Sequence, residues 1–234
     1  MPTVLVTGSS RGLGLEFVRQ YVADGWSVIA TCRNPAKAPL LDKVAAASSG
    51  RVTIEAMDVN DFAAIDRAAA KYKGAAIDVL INNAGVARGD VERQRLGAMD
   101  YEGWMALLKT NTLAPVKVAE AFTAHVAASQ QKKIAAVSST VGSLTEMDYP
   151  VYPYATSKAA LNKALKLMAA QLRDRGVIVL ALCPGHAKTD MGNMAPGASV
   201  EVDQSVSGMR RIIDRATPAT SGHFTRWNGE TVAW

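Results

Sequence analysis

The sequence predicts one doubly wound α/β domain, a seven-stranded, mainly parallel sheet with helices on both faces, and three observations point there. Apolar, β-branched runs alternate with amphipathic or alanine-rich stretches from end to end, the pattern of parallel strands joined by helical crossovers. A glycine-rich turn, Thr7-Gly8-Ser9-Ser10-Arg11-Gly12-Leu13-Gly14, follows the first run directly and leads into the first helical stretch, the Rossmann-type succession of strand, turn and helix. The 234 residues suit a single large α/β unit, and no internal repeat or low-complexity tract divides them.

The elements follow in order. Val4–Thr7 is a short apolar run fit for a buried first strand, and Leu13–Asp24 the amphipathic helix after it. Ser27–Thr31 and Val52–Glu55 are β-branched runs that give the second and third strands. The alanine-rich stretch Asp61–Tyr72 is a helix and leads to a fourth strand at Val79–Asn82. One long helix is expected over Tyr101–Ser129, a fifth strand at Ile134–Ser138, and a helix over Tyr154–Arg175. A sixth strand at Val177–Cys183, a helix at Glu201–Ala216 and a seventh strand at Gly222–Arg226 complete the order. Loops fall at Asn34–Pro39, Gly85–Asp100, Thr140–Pro153 and Gly185–Val200. In an open parallel sheet, loops after the carboxyl ends of strands surround the ligand crevice.

Composition narrows the function classes. Hydrophobic content of 49% with 20% charged residues describes a soluble globule. No apolar stretch approaches the ~20 residues of a membrane span. Met1-Pro2-Thr3 runs straight into a β-like segment without a basic region or cleavage site, so a cytoplasmic location is expected. Cys32 and Cys183 have no His or Cys neighbours at metal spacing, which predicts two reduced thiols and neither metal nor disulfide. The 26 Lys and Arg outnumber the 21 Asp and Glu but are scattered, with only the doublets Lys132-Lys133 and Arg210-Arg211. That scatter argues against nucleic acid and suits an anionic cofactor.

Tyr154 and Lys158 carry the chemistry. Four residues advance a helix by about 400°, so phenol and ammonium leave the same face. A neighbouring ammonium favours the phenolate and is expected to draw the Tyr154 pKa down toward a range useful for proton transfer. The pair alone also fits a surface ion pair. The turn has the spacing Gly-x-x-x-Gly-x-Gly rather than Gly-x-Gly-x-x-Gly, and its glycines alone also fit a purely structural turn.

Taken together, the turn, Asn82-Asn83-Ala84-Gly85 after the fourth strand, Asn111, Ser139, Tyr154, Lys158 and Pro184-Gly185 resemble, in order and over nearly the whole chain, the short-chain dehydrogenase/reductase family. The resemblance implies that Tyr154 is the general acid or base, and that Lys158 binds the nicotinamide ribose and lowers the tyrosine pKa. It makes Ser139, the second serine of the Ser138-Ser139 doublet, the group that orients the substrate carbonyl, and it gives Asn111 a proton-relay water. Gly8, Ser10, Arg11, Gly12, Leu13 and Gly14 would cradle the dinucleotide, with Asp58 at the adenine amino group and Val59 at its ring. Asn83, Ala84, Gly85, Pro184 and Gly185 would line the cofactor, with Thr189 on the carboxamide. Plainer alternatives stand beside these: Asp58 as a helix cap, Asn111 as a solvated amide, His186 in a local hydrogen bond. Tyr152 rivals Tyr154 but has Thr156 where an ammonium would stand.

An NAD-selective site places an acid at the end of the second strand. Cys32 occupies that position, Arg33 follows, and Arg11 lies in the turn, so two guanidiniums can meet a 2′-phosphate, which favours NADP(H). The expected reaction interconverts a small-molecule carbonyl and an alcohol, with hydride from nicotinamide C4 and the proton from Tyr154. The tail from Ser221 to Trp234 resembles the family branch that holds sniffer-type carbonyl reductases and C-factor signalling proteins. The alternative is therefore a nucleotide-binding signalling protein without biologically important turnover. Ala119, Ala155, Ala159 and Ala170 are read as small residues on helix surfaces, and with the resemblance they imply a homodimer or homotetramer.

Overall fold

The computed structural model describes residues 1–87, 94–146, 151–194 and 196–234. Strands β1 (Thr3–Thr7), β2 (Ser27–Cys32), β3 (Val52–Ala56), β4 (Val79–Asn82), β5 (Lys133–Val137), β6 (Ile178–Cys183) and β7 (Phe224–Arg226) form one sheet in the order β3-β2-β1-β4-β5-β6-β7. Every neighbouring pair is parallel. Strand order reverses between β1 and β4, and a crevice opens beyond the carboxyl ends of these strands.

Alternation along the strands divides the core into two layers. On β1, Leu5 faces a layer with Ile65 of α3 (Phe62–Lys71), Phe122 of α5 (Ala114–Ala127) and Leu161 and Leu165 of α6 (Tyr152–Gln171). Val4 and Val6 face the other layer, with Phe17 and Tyr21 of α1 (Gly12–Ala23), Leu41 of α2 (Pro39–Ala46) and Met209 and Ile213 of α7 (Val202–Arg215). Each such side chain, taken fully out of water, contributes about 1.5–3 kcal/mol before the entropy of ordering it.

Two expectations need correction. The stretch Tyr101–Ser129 is not one helix: α4 (Tyr101–Leu108) and α5 are separated by a π-helical turn at Lys109–Leu113. Helix α5 begins with Ala114 and Pro115; the missing Pro115 N–H interrupts the α-helical ladder where the wider turn stands. Ala119 is not on a surface; it lies in the core at 1% exposure, packed under the sheet, whereas Ala170 is exposed. Helix α2 was not anticipated because its eight residues present only Leu41 to the core, too little for a readable stripe. Helix α6 starts two residues early, with Pro153 in its first turn.

The segment after β7 returns to the loop following Ser139. Glu146 accepts from the Ala233 amide at 2.7 Å and from Arg226 at 3.2 Å, and the Thr145 hydroxyl donates to the Trp234 carbonyl at 2.9 Å. Residues 88–93 of the loop Gly85–Asp100, 147–150 of Thr140–Pro153 and 195 of Gly185–Val200 lie outside the described residues. Among the described residues no helix is long and apolar enough to cross a membrane.

Candidate active site

The glycine-rich turn is shaped by contacts that only glycine permits. Gly8 has φ +70°, and a Cβ there would stand 2.9 Å from the Ala84 Cα; a Cβ on Gly14 would stand 2.2 Å from the Gly8 carbonyl oxygen. These glycines let the turn press against the exit of β4, where the Thr7 hydroxyl accepts from the amides of Asn83 and Ala84, each at 3.0 Å. The Asn83 side-chain amide donates to the Thr7 and Gly8 carbonyls at 2.9 and 3.2 Å. Asn83 thus positions the turn.

Helix α1 begins at Gly12 with Arg11 as an extended N-cap, and no side chain caps it. Its first intrahelical amide bond is Leu15 to Arg11, so the Gly12, Leu13 and Gly14 amides at its mouth have no intrahelical partner. They face a cavity of about 250 Å³ lined also by Gly8, Ser10, Arg11, Cys32, Arg33, Asp58, Val59, Asn83, Ala84, Gly85, Tyr154, Lys158, Pro184 and Thr189. An uncapped helix N-terminus with positive dipole end and open amides suits a pyrophosphate, so the walls fit a dinucleotide. Asp58 does not cap α3. Its carboxylate accepts from the Asn60 amide at 2.9 Å, and Asp61 takes the capping role through the Ala64 amide at 3.1 Å.

Three expected residues stand off the cavity wall. Gly185 has φ +71° and turns the chain against Trp227, whose Nε1 would lie 2.8 Å from a Cβ at that position. Asn111, fully buried in the π turn, donates to the Val86 carbonyl at 2.8 Å and to the Ser157 hydroxyl at 3.0 Å, and accepts from the Val86 amide at 2.9 Å. Ser139 is half-buried and lies near enough to the Tyr154 phenol to lower its pKa. Ser138 is at the wall, but its hydroxyl donates to Asn162 Oδ1 at 2.5 Å, so of the doublet it is Ser139 that meets the tyrosine.

Lys158 places Nζ 5.8 Å from the Tyr154 ring centroid and donates to the Val137 carbonyl at 2.9 Å. The expected lowering of the Tyr154 pKa is corrected: burial raises it to about 12, the Cys183 thiol adds to the rise, and the Ser139 hydrogen bond only partly offsets them. Burial also brings Lys158 down to about 8. Desolvation outweighs the mutual attraction because ammonium and phenol do not touch. Tyr152 is 38% exposed and off the cavity wall, and His186 bonds the Gly192 carbonyl at 2.7 Å, a local contact.

Ser157, Asn162 and Thr7 were not singled out from the sequence. Buried hydroxyls and amides within an alanine-rich helix are the signal that marks the first two, since an inward polar side chain there needs a partner.

A doubly wound sheet with a cleft lined by open helix amides at its switch point, and a tyrosine, lysine and serine gathered beside it, defines an α/β oxidoreductase. The chain belongs to the short chain dehydrogenase family, whose profile matches residues 2–197. It is 38% identical over 159 residues to the C-signal protein of Myxococcus xanthus, covering 68% of this chain and 93% of that one. Among solved structures it resembles the NADPH-bound carbonyl reductase from chicken fatty liver (34% identity, TM-score 0.90, covering 100% of this chain and 99% of that one). It also resembles the carbonyl reductase Sniffer of D. melanogaster (29% identity, TM-score 0.90, covering all of both chains). The branch expected from the tail is therefore the one these relatives occupy.

Proposed function

We propose that the protein is an NADP(H)-dependent reductase that interconverts a small-molecule carbonyl and its alcohol. The observation that carries this is the Ser139–Tyr154–Lys158 group at the edge of a cleft floored by open helix amides. The second strand supports NADP(H): Cys32 and Arg33 stand on the cavity wall where an acid would serve NAD(H). Residues Gly12 to Gly14 would hold the pyrophosphate, Arg33 and Arg11 the 2′-phosphate, and Thr189 the carboxamide. Bound NADPH supplies the hydride that reduces the carbonyl carbon.

The chain's own groups manage the oxygen. Ser139 donates toward the carbonyl oxygen and polarises it, while Tyr154, kept protonated by its burial, delivers the proton that completes the alcohol. That transfer leaves a phenolate, which the Lys158 ammonium stabilises and which draws its replacement proton from the lysine side. The π turn sets Asn111 near Lys158, with Asn111 Oδ1 and Lys158 Nζ 3.3 and 3.7 Å from a Cβ placed on Gly85, which supports a relay through Asn111. A homodimer or homotetramer in the cytoplasm completes the reading.

The test follows NADPH absorbance over a broad panel of aldehydes, ketones and dicarbonyls. Turnover of any class with NADPH supports the proposal. Folded protein that binds NADPH and reduces nothing would replace it with the signalling reading, which the likeness to the C-signal protein favours.

A further inference from the structure

Of the acids among the described residues that line the cleft, Asp58 is engaged by the Asn60 amide, but Asp190 has a different partner. It forms an ion pair with Arg11, joining the segment after β6 to the glycine-rich turn before α1. The two walls meet here: the Thr189 methyl carbon would lie 3.5 Å from a Cβ on Gly12. Both charged side chains are well exposed, at 70% and 74%, so the pair stands at the mouth of the cavity rather than within the core.

An acid at the mouth of an anion-binding cleft calls for a physical reason. It occupies the guanidinium that a 2′-phosphate would use. An exposed ion pair is worth at most about 1 kcal/mol, so it is easily exchanged. A phosphate monoester carries nearly two charges and accepts a guanidinium fork with both N–H groups, so it outcompetes a single carboxylate. The nonphosphorylated ribose of NAD(H) offers no such competitor.

We infer that Asp190 is a cofactor-discriminating residue: it holds Arg11 across the mouth of the cleft, and a 2′-phosphate must take Arg11 from it, whereas NAD(H) leaves the pair in place. The inference rests on the NADP(H) reading above. Its consequence is that Asp190 weakens NADPH binding and is silent toward NADH.

The experiment titrates NADPH and NADH by their fluorescence, without substrate, against wild type, Asp190→Asn, Arg11→Gln and the double variant. Both positions are exposed, so the variants keep the fold. Asp190→Asn is expected to tighten NADPH roughly 3-fold to 5-fold, with NADH changed less than twofold. That gain should vanish in the Arg11→Gln background, because the acid acts through the guanidinium. An unchanged NADPH affinity, an equal shift for both cofactors, or the same gain without Arg11 would each overturn the role of Asp190. Wild type that binds NADH better than NADPH, or neither, would overturn the cofactor reading itself, and is seen before any variant is compared.

Discussion

Tyr154 keeps its proton because burial opposes the phenolate, which suits an acid that must arrive at the reaction already protonated. Tyr154→Phe preserves the ring and removes the donor, so kcat for carbonyl reduction should fall by about 10²-fold to 10⁴-fold, measured by NADPH absorbance. Tyr152→Phe should change it little, since that ring is off the cavity wall; the reverse ranking would move the role to Tyr152. Lys158 carries a stability signature of its own. It titrates near 8 when folded against 10.5 ordinarily, so between these values the unfolded chain binds more protons and stability rises with pH. Below about pH 8 the cost of burying the ammonium is present in full. Lys158→Met should therefore have a higher Tm than wild type at pH 7, with the gap narrowing by pH 9.5 in thermal scans; a constant gap would show that the ammonium is not disfavoured. The shared helix face of the pair was legible from the Tyr-x-x-x-Lys spacing, whereas its chemical role came only with the order of motifs along the chain. The direction of their titration was not legible, because it depends on burial that spacing does not report.

The π turn at Lys109–Leu113 is the element that ties the site together. It sets Asn111 where one amide bonds both backbone groups of Val86 and the Ser157 hydroxyl, whose own proton goes to the Tyr154 carbonyl at 2.8 Å. The exit of β4 is thereby fixed to the turn of α6 that bears Tyr154 and Lys158. Asn111→Ala would strand these groups, and a buried polar group left unpaired costs about 1–3 kcal/mol. A urea unfolding curve should show that loss, and an unchanged midpoint would mean that water replaces the amide. The strands were legible within a residue or so because their apolar runs are short and bounded by turn residues. The long helix was misread because Thr110-Asn111-Thr112 looks like any polar interval in a helix, and what widens the turn is Pro115 together with partners far away in sequence.

At the scale of the whole molecule, four large apolar side chains are left outside on α4, the π turn and α6: Tyr101, Met105, Leu113 and Leu167 are 71, 66, 54 and 58% exposed. Exposed apolar residues of this size favour association, and light scattering at micromolar concentration should return a dimeric or tetrameric mass. A monomer would show that these side chains are tolerated in water. The alanines first read as an association surface give a poorer guide, since Ala119 belongs to the core; alanine is equally at home in both places, so sequence alone does not separate them.

The place of β1 in the sheet has a consequence for how the chain is made. Val4 pairs with Val28 on one side and with Val79 on the other, so β1 is an interior strand whose second neighbour is synthesised well after its first. At roughly 5–20 residues per second, the ribosome reaches β4 roughly 4–15 seconds after β1. Until β4 emerges, Val4, Leu5 and Val6 have at most β2 on one edge and an open row of backbone donors and acceptors on the other, a template for any nascent strand nearby. Synonymous codon choice between residues 8 and 78, which leaves the finished protein unaltered, is therefore expected to change how much of it is recovered in soluble form.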